Sequence, residues 1–369
     1  MSPEFRFAVI SDAHIALPET IWQNPSRFHM VEVSIAALEQ VFAHLETLDL
    51  DFLLLPGDLT QHGEPANHAW LAQRLSQLPF PCYVVPGNHD VPNREADGRS
   101  IGLAEFAHYY QAFGYDDPAQ PYYSRQVLPG VRLIGLNSNQ FDETGQQQSQ
   151  GAIDAAQMRW LREVLAAASE ELVMVMVHHN VAEHLPNQSR HAMGRRYILR
   201  NHQELLEVLQ AAGVPLVFTG HLHIQDIARS HGLYDITTGS LVSYPHPYRV
   251  LAVRSDPQGQ RWLEVVSERV TAVPDWPRLT QVSRQWMGDR SQPFMVRLLT
   301  EAPLNLPLDA AESLAPELSY FWADISRGDA LFEFPDFPPA ARRFFESFSA
   351  LDAAGVPHLI DNHTALRLD

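Results

Sequence analysis

Five short clusters of side chains able to ligate a metal recur along the chain: Asp12-Ala13-His14, Gly57-Asp58, Gly87-Asn88-His89-Asp90, His178-His179 and Gly220-His221-Leu222-His223. Together they offer imidazole, carboxylate and amide. That mixture suits a pair of divalent transition metals about 3.5 to 4 Å apart with a carboxylate between them. Taken singly, an Asp-x-His or a Gly-Asp is common and says little. What carries meaning is a shared setting, because each cluster directly follows an unbroken apolar run.

Those runs are Phe7 to Ile10, Phe52 to Leu55, Tyr83 to Val85, Leu172 to Val177 and Pro215 to Phe218, with Val131 to Leu136, interrupted only by Arg132, a sixth. Unbroken apolar character predicts strands buried on both faces. Between them Leu38, Val41, Phe42, Leu45 and Leu48 recur at helical spacing, as do Met158, Leu161 and Leu165, and later Leu205, Leu206 and Leu209. Strands alternating with helices predict an α/β sheet covered on both sides, and ligands bind such sheets beyond the carboxyl ends of the strands. At the end of a strand, the spacing of Asp12 and His14 turns both side chains to one side. The five clusters should therefore converge on one crevice.

From Ile224 to about Val270, strand-like runs separated by turn signals (Ser230-His231-Gly232, Pro245-His246-Pro247, Asp256-Pro257-Gln258-Gly259) predict a closing antiparallel meander. Beyond it Pro274, Pro277, Pro293, Pro303 and Pro307 punctuate the chain, and helix-like stretches follow at 308–326 and 338–354. The organisation expected is a unit over 1–272 and a small, mainly helical C-terminal domain or extension over 273–369. The tail's Phe-rich segment reads as core.

All 26 basic residues are Arg, against 44 Asp+Glu, for a formal charge of -18. Without Lys there is no Schiff-base or PLP enzyme and no P-loop NTPase. The acidic balance argues against duplex nucleic acid or an anionic membrane as a partner. Cys82 is the only cysteine and lies in an apolar run, so it reads as a small core residue. No window approaches a membrane span and no signal-like N-terminus is seen, so a cytoplasmic protein is expected. The sequence leaves a homo-oligomer open.

At these five clusters the sequence resembles the calcineurin-like metallophosphoesterase superfamily, whose motifs run D-x-H, G-D, G-N-H-[D/E], H and G-H-x-H in this order. The resemblance implies a four-layer α/β/β/α sandwich and two divalent ions, Mn²⁺, iron or Zn²⁺. It implies Asp12, His14 and His223 on one metal, Asn88, His178 and His221 on the other, and Asp58 bridging. The residues alone leave His178 and His179 open; the resemblance selects His178. It also makes His89 the group that protonates the leaving alkoxide or stabilises the phosphoryl group. Where related protein phosphatases orient that His with an Asp, this chain has Gln61, which cannot serve as a carboxylate partner.

The stretches Gly57-Asp58-Leu59-Thr60-Gln61-His62-Gly63 and Gly87-Asn88-His89-Asp90 are similar to the bacterial class III cyclic-nucleotide phosphodiesterase branch and depart from the protein phosphatase branch. This similarity implies hydrolysis of a small phosphodiester, such as a 3',5'-cyclic nucleotide, by metal-bound hydroxide. Phosphomonoesterase action on nucleotides or sugar phosphates, or a metal-binding scaffold docking a protein partner, are the alternatives. Substrate contacts are expected from the Arg- and His-rich stretch 184–202, with His191 and Arg195 as candidates. His62, Tyr244 and His246 are rim candidates for which packing is the preferred account.

Overall fold

The computed structural model describes residues 4–22, 27–170, 172–191 and 194–368. The first half contains β1 (Phe5–Val9), α1 (Ser34–Leu45), β2 (Phe52–Leu55), α2 (Pro65–Leu75), β3 (Cys82–Val84), α3 (Leu103–Tyr109), β4 (Tyr123–Leu128), β5 (Val131–Gly135) and α4 (Ala155–Ala167). Then come β6 (Leu172–Met176), α5 (His202–Ala211), β7 (Leu216–Thr219), β8 (Asp226–Ser230), β9 (Leu233–Thr237), β10 (Pro247–Ser255) and β11 (Arg261–Arg269). A helical segment follows with α6 (Leu279–Thr300), α7 (Leu308–Leu314), α8 (Phe321–Arg327) and α9 (Pro339–Glu346), and the last element is β12 (His363–Arg367).

The strands form two six-stranded mixed sheets, ordered β12-β11-β10-β1-β2-β3 and β4-β5-β6-β7-β9-β8. In the first, β1, β2 and β3 run parallel. In the second, β5, β6, β7 and β9 do. The apolar runs are unbroken because each face of these strands is covered by something different. Met174, Met176, Leu216 and Phe218 belong to the central core with Phe7 and Phe52, whereas their neighbours Val175, Val177 and Val217 pack with Met158 and Leu161 of α4 and Leu205 and Leu209 of α5. Phe7 of one sheet meets Phe218 of the other edge-on, with ring centroids 5.4 Å apart. The result is an α/β sandwich of two sheets with flanking helices.

Two expectations are corrected. The segment from Ile224 to Val270 is not one meander. The first and third of its turn signals close separate hairpins, β8/β9 on the second sheet and β10/β11 on the first, whereas Pro245-His246-Pro247 closes none and leads into β10. The stretch between the hairpins, with a cis Tyr244-Pro245 bond, crosses from one sheet to the other. Likewise Pro293 does not punctuate the chain but lies inside the 22-residue helix α6. It is exposed, as is Asp289 one turn earlier, so the carbonyl that loses its donor faces solvent. The helix escapes a periodicity search because its buried strip is one residue wide, Leu279, Ser283, Met287, Ser291, Met295 and Leu299, and half of the middle positions are Ser.

The helical segment has its own apolar cluster around Phe321, Phe337 and Phe345, and Leu222 and Ile224 insert into it. After α9 the chain returns to the main fold, where β12 pairs antiparallel with β11. Cys82 is buried, and burial pushes its thiol up to about 12. Among the described residues no helix is long and apolar enough to cross a membrane.

Candidate metal centre

The loops after β1, β2, β3, β6 and β7 meet at one end of the two sheets. Asp12, His14, Asp58, His221 and His223 all have left-handed backbones, with φ of 51°, 40°, 50°, 66° and 60°. Such conformations are uncommon for residues with a side chain and mark positions that the surroundings over-determine. Here the loops hold one another. Asp12 N donates to Gly57 O at 3.2 Å and His14 N to Asp58 O at 2.9 Å. His221 N donates to the Asp12 carboxylate at 3.1 to 3.2 Å.

The glycines before the clusters contribute in two ways. Gly57 uses a positive φ of 93°. Gly87 does not; a Cβ there would sit 2.1 Å from Asp58 N and 2.2 Å from Asp58 Oδ1, so its bare backbone admits that carboxylate. Asp90, the last residue of its cluster, ties the loop after β3 to the loop after β2. Its carboxylate accepts from Gly87 N, Leu59 N and Thr60 N at 2.8 to 3.1 Å. Burial and the neighbouring Asp58 charge push its pKa up to about 7 despite these donors.

The side chains sort into two groups. In one, donor atoms of Asp12, His14, Asp58 and His223 lie within 4.8 Å of one another; in the other, those of Asp58, His178 and His221 do. Asp58 belongs to both. Its Oδ2 is 3.8 Å from His14 Nε2 and 3.2 Å from His178 Nε2. His178 Nε2 is also 3.0 Å from Asn88 Oδ1 and 3.1 Å from His221 Nδ1, so amide and imidazole lone pairs converge where a single ring proton could satisfy only one of them. His223 Nε2 is 2.9 Å from Asp12 Oδ1. Such a concentration of convergent acceptors is satisfied by a cation, and these residues fit a divalent transition ion in each group.

Ring orientations support the same fit. His178 Nδ1 lies 2.8 Å from Pro56 O and His221 Nε2 lies 3.2 Å from Arg196 O, which assigns the proton to those nitrogens and leaves the other nitrogen of each ring facing the site. His179 turns away instead, with its Nδ1 2.8 Å from the Ser138 hydroxyl. Burial holds His14 and His221 well below the usual imidazole range, hence neutral. Burial raises the Asp58 carboxyl, but His178, His89 and His14 outweigh it and keep the group ionised. Burial opposes charge on His178 as well, yet Asp58 pushes it up to about 9, so an ion taking its place there must displace a proton.

His89 stands beside this centre. Its backbone N donates to Asp58 Oδ1 at 2.7 Å, and its Nδ1 lies 2.7 Å from the backbone carbonyl of Gln61. Gln61 therefore does orient His89, through its main chain; the side chain points elsewhere, to Thr20 O at 3.0 Å and to Glu64 Oε1 at 3.2 Å. The His62 ring stacks on His89 at 5.1 Å. Tyr244 and His246 are buried, as packing residues.

A cavity of about 390 Å³ opens on the cluster, with Asp58, Asn88, His89, His221 and His223 on one side and Phe28, Met287, Phe294 and Trp322 on the other. His191 and Arg195 are not on it. His191 lines a smaller apolar cavity, with its ring 6.1 Å from Phe344, and Arg195 is exposed because the short helical turn Arg195–Tyr197 carries Arg196 and Tyr197 to the site in its place. His29 is the residue that sequence reasoning missed. It lines the cavity, with ring centroids 4.4 Å from His14 and 4.6 Å from His223. A single His between Phe28 and Met30, after no apolar strand, gives no signal in the sequence.

Residues 5–225, which include all five loops, match the calcineurin-like phosphoesterase family. The chain belongs to that family. A Synechococcus relative of this calcineurin-like phosphoesterase, named a probable cyclic nucleotide phosphodiesterase, is 31% identical over 196 residues, covering 52% of this chain and 65% of that one, just under two thirds of its length. A 3',5'-cyclic-nucleotide phosphodiesterase of Nostoc is 24% identical over 265 residues, covering 71% of this chain and 88% of that one. Among solved structures, a dimetal phosphatase from Danio rerio superposes with a TM-score of 0.55 at 16% identity over 72% of this chain and 96% of that one, a likeness of fold.

Proposed function

We propose that this calcineurin-like phosphoesterase is a dinuclear metal-dependent phosphodiesterase acting on a small phosphodiester, with a 3',5'-cyclic nucleotide as the first candidate. The observation that carries the reading is the Asp58 carboxylate shared by two donor groups. Asp12, His14 and His223 would hold one ion and Asn88, His178 and His221 the other, with Asp58 available to both. Imidazole donors favour a transition ion such as Mn²⁺, iron or Zn²⁺ over magnesium or calcium. When bound, two such ions make a water nucleophilic near neutral pH and neutralise phosphoryl charge.

The protein's own part is to place a proton and to shape the cavity. His89, with Nδ1 given to Gln61 O, carries any transferable proton on Nε2 and gives it to the leaving alkoxide. The cavity's apolar side, Phe28, Phe294 and Trp322, suits the organic portion of a diester. A charge of -18 supports a small substrate over a polyanion. A lone, buried Cys82 supports a reducing, cytoplasmic setting.

The test is hydrolysis of bis(p-nitrophenyl) phosphate, p-nitrophenyl phosphate and cyclic AMP, each with Mn²⁺ and with chelator. Mn²⁺-dependent cleavage of the diesters is expected. No Mn²⁺-dependent turnover of any of the three removes the enzyme reading, and a strong preference for the monoester removes the phosphodiesterase reading.

A further inference from the structure

His29 has no counterpart among the seven side chains assigned to the metals, yet it lies in their midst. Its donor atom and those of His14 and His223 are all within 4.8 Å of one another. Two donors bound to one ion at about 2.1 Å are at most about 4.2 Å apart, so joining these three on a common ion takes side-chain movement of less than about 1 Å. His29 is partly exposed on the cavity wall, where a ring nitrogen has room to turn inward.

The backbone on either side of His29 is fixed by different parts of the molecule. On one side Met30 is buried and its N donates to Val242 O at 2.7 Å, which pins it to the sandwich. On the other, Trp286 Nε1 of α6 donates to Arg27 O at 3.0 Å, and Phe28 packs with Tyr244, Met287 and Ala323. The indole of a distant helix thus fixes the carbonyl two residues before His29. We propose that His29 is a further ligand of the metal position formed by Asp12, His14 and His223, and that helix α6 positions it there through Trp286 and Met287. The helical segment then completes one metal site that the five strand-end loops leave open, so that this ion has fewer positions free for substrate than its neighbour at Asn88, His178 and His221. The inference rests on the dinuclear reading above.

Metal affinity separates the two. Purified full-length protein, its His29→Phe and His29→Asp variants and Trp286→Phe are titrated with Zn²⁺ against a chromogenic chelator, and the visible spectrum of each Co²⁺-loaded form is recorded. Wild type should bind two ions. His29→Phe keeps the ring but loses the nitrogens; it should keep one ion at wild-type affinity and weaken the other at least tenfold, with an altered Co²⁺ spectrum. His29→Asp should restore much of the loss. Trp286→Phe, which keeps the packing but removes the N–H, should weaken the same ion by about tenfold, the lower end of the range for partners that orient a ligand. Two ions bound with unchanged affinity and spectrum in His29→Phe overturn this proposal and leave the dinuclear reading intact, and so does a variant that changes only KM. A wild-type protein that binds no more than one ion overturns the dinuclear reading itself. Unchanged affinity in Trp286→Phe overturns the part assigned to α6.

Discussion

His89 and Asp58 are joined by a 2.7 Å hydrogen bond, yet their removal should have different consequences. Asp58→Ala takes away the one carboxylate common to both donor groups, so activity should vanish and both ions should bind more weakly. His89→Ala leaves every assigned ligand in place. Metal content should stay at wild-type level while turnover falls about 10²- to 10⁴-fold for poor leaving groups, the range for loss of a general acid, and much less for p-nitrophenolate. Equal losses with good and poor leaving groups would remove His89 as the acid. At this scale the sequence is legible wherever chemistry is tied to a strand end. The strand-end setting predicts that the five clusters converge, and the family resemblance selects Asp12, His14, Asp58, Asn88, His178, His221 and His223 within them. The sequence does not foresee how His89 is oriented, because the partner is the Gln61 carbonyl and every residue has a carbonyl. Nor does it foresee His29, whose position depends on Trp286 far along the chain.

Between the strands, the loops are secured by buried polar clamps away from the metals. The clearest links the segment after β6 to β8 and β9. Asp235 Oδ2 accepts from Val181 N at 2.7 Å and from Ala182 N at 2.8 Å, its Oδ1 accepts from Thr219 Oγ1 at 2.7 Å, and His184 sits between Asp226 at 2.7 Å and Asp235 at 3.2 Å. Burial disfavours charge on His184, but the two carboxylates prevail and push it up to about 10. That is above the value of about 6.5 for an unfolded chain, so the stabilisation is fully present below about pH 6.5 and is lost as pH rises toward 10. Melting temperatures from pH 6 to 10, taken with chelator, should fall more steeply for wild type than for His184→Gln, which should be the less stable protein at pH 6. His178 titrates in both proteins, so the difference between the curves belongs to His184. Parallel curves would mean that the pair is not ionised in the folded protein. The carboxylate partners of His184 are invisible in the sequence, since Asp226 and Asp235 come together only through the β8/β9 hairpin. The elements themselves are legible where both faces of a strand are covered, and illegible in α6, whose narrow strip alternates Ser with Met.

For the whole molecule, the absence of Lys rules out a P-loop and the excess of acidic groups argues against duplex nucleic acid, and the fold gathers carboxylates and imidazoles where metal ions could supply the positive charge that a phosphate needs. The same gathering ties stability to metal. Ions that bind the folded chain and not the unfolded one add about 4 kcal/mol per site at a thousandfold excess over Kd, which for domains of 150–250 residues is a rise on the order of 10 °C in Tm and for this longer chain somewhat less. The gain should not stay within the sandwich. Leu222, between His221 and His223, is buried in the cluster of the helical segment with Met295, Leu299 and Phe321, and Gln225 N donates to Ser326 O at 3.1 Å. Fixing the two imidazoles therefore fixes the surface on which α6 and α8 rest. Hydrogen exchange measured with Mn²⁺ and with chelator should show added protection in peptides from α6 and α8 as well as in the five loops, and Asp58→Asn should abolish the difference in both regions. Protection confined to the loops, with the helical segment exchanging alike in both states, would show that the metal centre and the helical segment are energetically independent despite their contact.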